Sequence, residues 1–342
     1  MKHLETNNYR HLFVENVPLL DVRAPVESLH GSFPNAENRF LLDDSQRVLV
    51  GTAYKQQGKE TAIALGHRLA TAEVRQARLH SWLEFVRRHP DGFLFCLRGG
   101  MRSQIAQDWL EQVGITYPRV TGGYKAMRSY LLESITQSCA KVDFWVVSGR
   151  TGTGKTHLLP RLPCHMDLEK LAGHRGSSFG KRVEEQPSQA NFEHQLAIEL
   201  LRHEHVRNGC IAVEDESRLI GRRSIPEAFF QKMKCAPIVV LESSKKVRVK
   251  QIVEDYVHTS SLEYREALGE DLGWQRFSEV LHMSLRNIRR RLGDKRYGAI
   301  SGTLTEALAA FRKHQELDGF HKVVGTLLEQ YYDLLKLGLV KF

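Results

Sequence analysis

Short apolar runs recur along the chain at wide intervals, and the segments between them carry apolar residues at helical spacing. The runs Pro18 to Val22, Gly92 to Cys96, Phe144 to Ser148, Cys210 to Glu214 and Pro237 to Leu241 are rich in Val, Ile, Leu and Phe and have the length of buried strands. Thr61 to Phe85, Ser103 to Val113 and Phe192 to His205 read as helices. Leu281, Leu285, Ile288 and Leu292 repeat at i, i+4, i+7 and i+11 on another. Strands alternating with helices predict an α/β fold with parallel sheets and sites at the C-terminal ends of the strands. The polar stretch Gln137 to Lys141 precedes a new strand, so the chain is expected to divide into residues 1–138 and 139–342, the second part ending in a helical region.

Composition adds a size and a sign. With 342 residues, 42% of them hydrophobic, each half can bury its own core. The formal charge of +9 favours a polyanionic partner such as a nucleic acid. The five cysteines contain no C-x-x-C pair, which argues against a disulfide framework or a zinc site and for a reducing, cytoplasmic setting. The N-terminus has no apolar signal region and no apolar run is long enough to span a bilayer, so no membrane partner is expected.

Two loops carry chemistry. Cys96 ends an apolar strand and opens Cys-Leu-Arg-Gly-Gly-Met-Arg-Ser, followed by a helical segment. A glycine-bearing loop between strand and helix cradles an anion. Backbone N–H groups of Gly99, Gly100 and Ser103 converge on its centre, and Arg98 and Arg102 add positive charge. A thiol of ordinary pKa is only about 3% ionised at pH 7, whereas one lowered to about 6 is about 90% thiolate, so such a loop can make Cys96 a nucleophile. The other four cysteines read as structural.

The second loop is Gly149-Arg-Thr-Gly152-Thr-Gly154-Lys155-Thr156, after the strand Phe144 to Ser148. This G-x-x-x-x-G-K-T pattern in a strand-to-helix context is a phosphate-binding P-loop. Its glycines let the backbone wrap a phosphate, Lys155 supplies a point charge, and the Thr156 hydroxyl can hold magnesium. Glu214 and Asp215, at the end of the strand Cys210 to Val213, are a Walker B-like candidate, with Asp215 a second magnesium ligand. The loop alone leaves open whether its ligand is a nucleotide, another diphosphate or a tRNA phosphate.

The Cys96 loop, taken with Leu20-Asp-Val-Arg-Ala-Pro-Val-Glu27 and Gly31-Ser-Phe-Pro-Asn-Ala-Glu-Asn38, resembles a rhodanese domain, in which cysteine carries sulfur as a persulfide. Its Cys-x5-Arg spacing is one residue longer than the usual rhodanese loop and similar to phosphatases on the same fold that cradle a tetrahedral phosphate. Phe95 stands where those enzymes usually place histidine. A rhodanese-like domain followed by a P-loop domain resembles the tRNA 2-selenouridine synthases. So do Val213-Glu-Asp-Glu-Ser-Arg218-Leu-Ile-Gly221, Asp167-Leu-Glu-Lys-Leu-Ala172, His174-Arg175-Gly-Ser-Ser-Phe-Gly180, Tyr54-Lys-Gln-Gln-Gly58 and Ala64-Leu-Gly66-His67.

The resemblance implies an enzyme that converts 2-thiouridine at the tRNA wobble position to 2-selenouridine. Selenophosphate would be the donor, after geranyl diphosphate has alkylated the sulfur; no tightly bound cofactor is implied. It assigns Cys96 to the active site and matches Gly66 to a glycine important in the family. For tRNA, the densest basic cluster is Arg286, Arg289, Arg290, Arg291, Lys295 and Arg296, whose default reading is a solvated helix face. His174, Arg175 and Arg218, with Arg222 and Arg223, are further candidates. Two other functions fit the same loops: an ATP-dependent tRNA sulfurtransferase, and a P-loop ATPase or kinase whose first domain only binds a partner.

Overall fold

The computed structural model describes residues 5–204 and 210–336. The chain forms two compact units, residues 5–140 with 188–204 and residues 141–187 with 210–336. The expected division near 138 therefore needs one correction, because the helix Gln189–His203 leaves the second segment and joins the first unit. Residues 1–4, His205 and 337–342, named in the expected domain and helix limits, lie outside the described residues.

The first unit is built on a parallel sheet of β1 (Glu5–Thr6), β2 (Leu19–Asp21), β3 (Ala36–Asn38), β4 (Phe93–Phe95) and β5 (Arg119–Val120), in the order β1-β5-β4-β2-β3. Strands β2 and β4 are central and are the two that hydrophobic pattern reveals. Strands β1, β3 and β5 carry Glu5, Thr6, Glu37, Asn38 and Arg119 in place of an apolar run, so no hydrophobic pattern marks them. Leu20, Leu94, Trp82, Phe85, Leu110 and Tyr117 meet in the core. The segment Thr61 to Phe85 is two helices, Lys59–Leu69 and Ala72–Arg88, because the Thr71 side chain caps Val74 N and starts a new helix.

The captured helix is held by polar bonds as well as by Phe192, Leu196 and Leu200. The Asn191 side chain accepts from Ser32 N at 2.7 Å, Glu193 pairs with Arg128, and His194 lies fully buried. Nδ1 of His194 donates to Ser32 O at 2.7 Å, which leaves Nε2 to accept from Arg128 at 3.0 Å. Burial, with Arg128 and Arg23 adding to it, pushes the imidazole pKa down to about 4, so His194 is neutral. An unfolded histidine titrates near 6.5 and binds its proton first as the pH falls. The contribution is thus full above 6.5 and disappears as the pH drops towards 4, by up to about 3 kcal/mol. A urea titration series from pH 7 to 4 is expected to show this loss, and His194→Gln to flatten it.

The second unit has a parallel sheet of β6 (Asp143–Gly149), β7 (His165–Met166), β8 (Cys210–Glu214) and, after a small hairpin of β9 (Leu219–Ile220) and β10 (Arg223–Ser224), β11 (Ile238–Leu241). The sheet order is β11-β6-β8-β7. Its C-terminal helices pack around Trp274, Phe277, Leu285, Phe311, Phe320 and Tyr331. The predicted stripe of Leu281, Leu285, Ile288 and Leu292 is buried, although Ile288 and Gly293 break the run into Glu270–Asn287, Arg289–Leu292 and Asp294–His314. No helix among the described residues is long and apolar enough to cross a membrane.

Candidate active sites

In the first unit, β4 delivers Cys96 to the C-terminal end of the sheet, where it is almost fully buried. Its sulfur lies 3.3 Å from Ser103 Oγ, and that hydroxyl donates to Gly100 O at 2.8 Å, so the predicted loop closes on itself across the start of the helix Met101–Glu111. A second glycine loop holds it from behind. Tyr124 N donates to Cys96 O at 2.9 Å and Lys125 N to Leu97 O at 3.0 Å. A Cβ on Gly123 would stand 2.2 Å from Cys96 O, so only glycine permits this approach. With two carbonyls of the loop committed to that side, its other face is left for a ligand.

Arg98 is exposed, whereas Arg102 is held by Glu27 in a two-pronged ion pair of 2.5 and 3.1 Å. Burial alone would raise the Glu27 pKa, but its bonds to Arg102 and Ala24 N outweigh burial and hold the carboxyl below its usual range. Glu27 is anchored in turn. Arg23, fully buried and paired with Asp21, donates to Glu27 O and Gly31 O and lies 4.0 Å from the centre of the Tyr124 ring. The Asp21–Arg23 pair thus ties both flanks of the cysteine loop to one buried charge centre.

A cleft of about 840 Å3 opens beside this loop, and Cys96, Arg98, Gly100, Arg102 and Gly66 all line it. Gly66 sits on the helix Lys59–Leu69, and a Cβ there would have no heavy atom within 4 Å. A glycine kept for close packing would have a neighbour where its side chain would be, and Gly66 has none.

In the second unit, the P-loop follows β6. A Cβ on Gly152 would meet Arg248 O at 2.7 Å and Ile252 at 2.8 Å, so the loop lies tight on the helix Lys245–Val253. Arg248, buried and paired with Asp333, donates from Nε to Thr151 O at 2.9 Å and fixes the loop from below. Lys155 Nζ donates to Gly149 O at 3.0 Å, and Thr156 is exposed. The helix that follows is only Lys155–Leu158, with a tighter turn at Leu159–Arg161 containing Pro160. A long helix dipole is therefore missing, and loop N–H groups and Lys155 must supply the attraction for an anion.

Glu214 and Asp215 fall in different environments. Asp215 accepts a bond of 2.5 Å from Ser148 Oγ, at the edge of the P-loop. Glu214 is buried and accepts from Glu169 N at 3.0 Å. Burial, then the charges of Asp167, Glu169 and Glu216, raise the Glu214 pKa well above normal. Burial with Glu216 and Asp167 takes Glu169 to about 8 against the pull of Lys155 and Arg182. The raised values keep Glu169 and Glu214 protonated at neutral pH, so these two carboxyls add no negative charge beside Lys155. Among the described residues no group of three or more His, Cys, Asp or Glu side chains is arranged to hold a metal.

A family model for the tRNA 2-selenouridine synthase AAA domain matches residues 142–336. The similarity also covers the first unit. The tRNA 2-selenouridine synthase of Marinobacter nauticus is 45% identical over 329 residues, which is 96% of this chain and 90% of that protein. Those of Bordetella petrii and Hahella chejuensis are 46% and 47% identical, each over 96% of this chain and over 88% and 87% of their own lengths. The chain belongs to the tRNA 2-selenouridine synthase family.

For a member of this family the basic residues acquire a candidate partner, and the structure separates them. Arg175 donates to Ser260 Oγ at 2.6 Å and pairs with Glu263 at 2.8 Å, so its guanidinium is committed inside the unit. His174 keeps a buried Nδ1 without a hydrogen-bond partner, and burial followed by the charge of Arg182 lowers its pKa. Arg218 is exposed and pairs with Glu227, while Arg222 is exposed at the hairpin turn, where its N–H donates to Gln186. Arg286, Arg289, Arg290, Arg291, Lys295 and Arg296 are exposed around the break at Gly293, and Arg289 pairs with Asp294.

Sequence reading missed Gly122-Gly123, Arg248 and Gln186. The glycine pair could have been noticed after β5, whereas Arg248 and Gln186 stand in no motif and act only through contacts distant in the chain.

Proposed function

We propose that this chain converts 2-thiouridine of tRNA to 2-selenouridine in two steps, with a rhodanese-like first unit and a P-loop second unit taking one step each. The observation that carries this reading is the presence, in one chain similar over 96% of its length to tRNA 2-selenouridine synthases, of two distinct glycine-bearing loops between strand and helix, one bearing a thiol and the other a lysine. In the first step the thiocarbonyl sulfur attacks the first carbon of geranyl diphosphate. A carbon–sulfur bond forms, the carbon–oxygen bond breaks, diphosphate leaves and the base loses its N3 proton. Gly149, Gly152, Gly154 and Lys155 bind the departing diphosphate, whose charge grows in the transition state.

Thr156 and Asp215 offer the hard oxygen donors that magnesium takes, with phosphate oxygens and water completing the set. The ion would neutralise diphosphate charge.

In the second step selenophosphate supplies hydroselenide, the phosphorus–selenium bond being broken by water with release of phosphate. Hydroselenide adds at C2, the carbon–sulfur bond breaks, and geranyl thiolate leaves. Alkylation turns a poor sulfide leaving group into a better one. Cys96, with Arg98, Arg102, Gly99, Gly100 and Ser103 around it, receives the selenium donor.

Mass analysis of nucleosides after incubating the protein with 2-thiouridine tRNA, selenophosphate and geranyl diphosphate tests the reading. A mass gain for selenium without ATP is expected. ATP-dependent formation of 2-thiouridine from unthiolated tRNA and a persulfide donor would establish a sulfurtransferase, and an unchanged base in both incubations would leave the P-loop as that of an ATPase or kinase.

A further inference from the structure

The cleft beside Cys96 is larger and more apolar than a selenophosphate site requires. Selenophosphate is a small, charged tetrahedron, and the cysteine loop suffices to hold it. Beyond the loop, the walls are made by Ile63, Leu69, Val74, Met101, Ile105 and Trp109, side chains that attract no anion. Val48 and Tyr54 also line the cleft and are mostly exposed, at 56% and 60%, although large apolar side chains on a free surface cost solubility. The rim is cationic, with Arg47, Lys55, Lys59 and Arg98. An apolar cleft with a cationic rim and a thiol in its lining matches a ligand with an apolar chain carried on a polyanion, its reacting atom at the thiol.

We propose that this cleft binds the geranyl chain of the S-geranylated tRNA during selenium exchange, and so selects the substrate by the length of its S-alkyl group. This rests on the two-step reading above. The RNA phosphates lie on the cationic rim, the chain runs along the apolar walls, and C2 of the uridine is presented beside Cys96. Hydroselenide adds at C2 and geranyl thiolate leaves along the channel that already holds its chain, so no redox partner is needed. Each methylene buried along such walls contributes about fourfold in binding, an upper figure because the free chain already hides part of its surface. Gly66, which presents no side chain to the same cleft, keeps that part of it open.

The experiment compares two anticodon-loop RNAs, one bearing S-geranyl-2-thiouridine and one S-methyl-2-thiouridine, each given selenophosphate and full-length protein. The leaving chemistry is the same and only the chain differs. The wild type is expected to favour the geranyl RNA by tenfold or more in kcat/KM. Val48→Asp, on an exposed position whose replacement spares the core, is expected to cut that preference at least fivefold by raising KM for the geranyl RNA. Ile63→Trp, which fills the channel instead of charging it, provides an independent second variant. Equal kcat/KM for the two RNAs in the wild type, or a preference unchanged in both variants, overturns the proposal while leaving the two-step reading intact. Conversion of neither RNA by the wild type overturns both.

Discussion

Replacing Cys96 by serine is expected to abolish 2-selenouridine formation, by about a thousandfold or more, while geranylation of 2-thiouridine tRNA continues and S-geranylated tRNA accumulates. Cys96 receives the donor beside C2, and loss of a residue that acts as one unit with the rest of a reacting centre has costs of this order. Serine fits the site, since the sulfur it replaces already neighbours Ser103 Oγ at 3.3 Å, so the fold is spared. Nucleoside mass analysis reads both products. A fall of only about tenfold would mean that the loop N–H groups and Ser103 hold the donor without the thiol. Retention of full selenium incorporation by Cys96→Ser would remove this loop from the reaction.

The second large effect is at the other unit. Lys155→Ala is expected to lower geranyl transfer by about a hundredfold, because a single charge aimed at a departing diphosphate has an effect of that size in a partly dehydrated site. Lys155 bonds to the loop through Gly149 O, and Arg248 and the packing of Gly152 on Ile252 hold the loop in its absence, so the variant should keep its fold. The assay is incorporation of labelled geranyl into 2-thiouridine tRNA. Unchanged geranyl transfer together with lost ATPase activity would assign the P-loop to a nucleotide instead.

Much of this architecture is legible in the sequence for a physical reason. Buried central strands such as Phe93–Phe95 and Asp143–Gly149 must be apolar, and glycine loops that cradle anions must carry glycine at fixed spacing, so both leave a local signature. What is hidden is tertiary. The helix Gln189–His203 joins the first unit through Asn191, Glu193 and His194, whose partners Ser32 and Arg128 lie far off in the chain. The division of Glu214 from Asp215 follows from strand alternation only once it is known which face of β8 meets Glu169. That Glu27 orients Arg102 beside the cysteine loop is invisible in the sequence, and Arg175 reads as a tRNA contact until Glu263 appears. Gly66 was suggested by resemblance alone; its place in the Cys96 cleft gives it a physical meaning.

The central claim is that alkylation of sulfur at the P-loop unit precedes selenium exchange at the cysteine unit and is separable from it. The most direct measurement supplies Lys155→Ala protein with tRNA already S-geranylated at 2-thiouridine and with selenophosphate, and follows 2-selenouridine by mass. The account predicts conversion at the wild-type rate, since the damaged step has been bypassed. Failure of this variant to convert pre-geranylated tRNA that the wild type converts would contradict it.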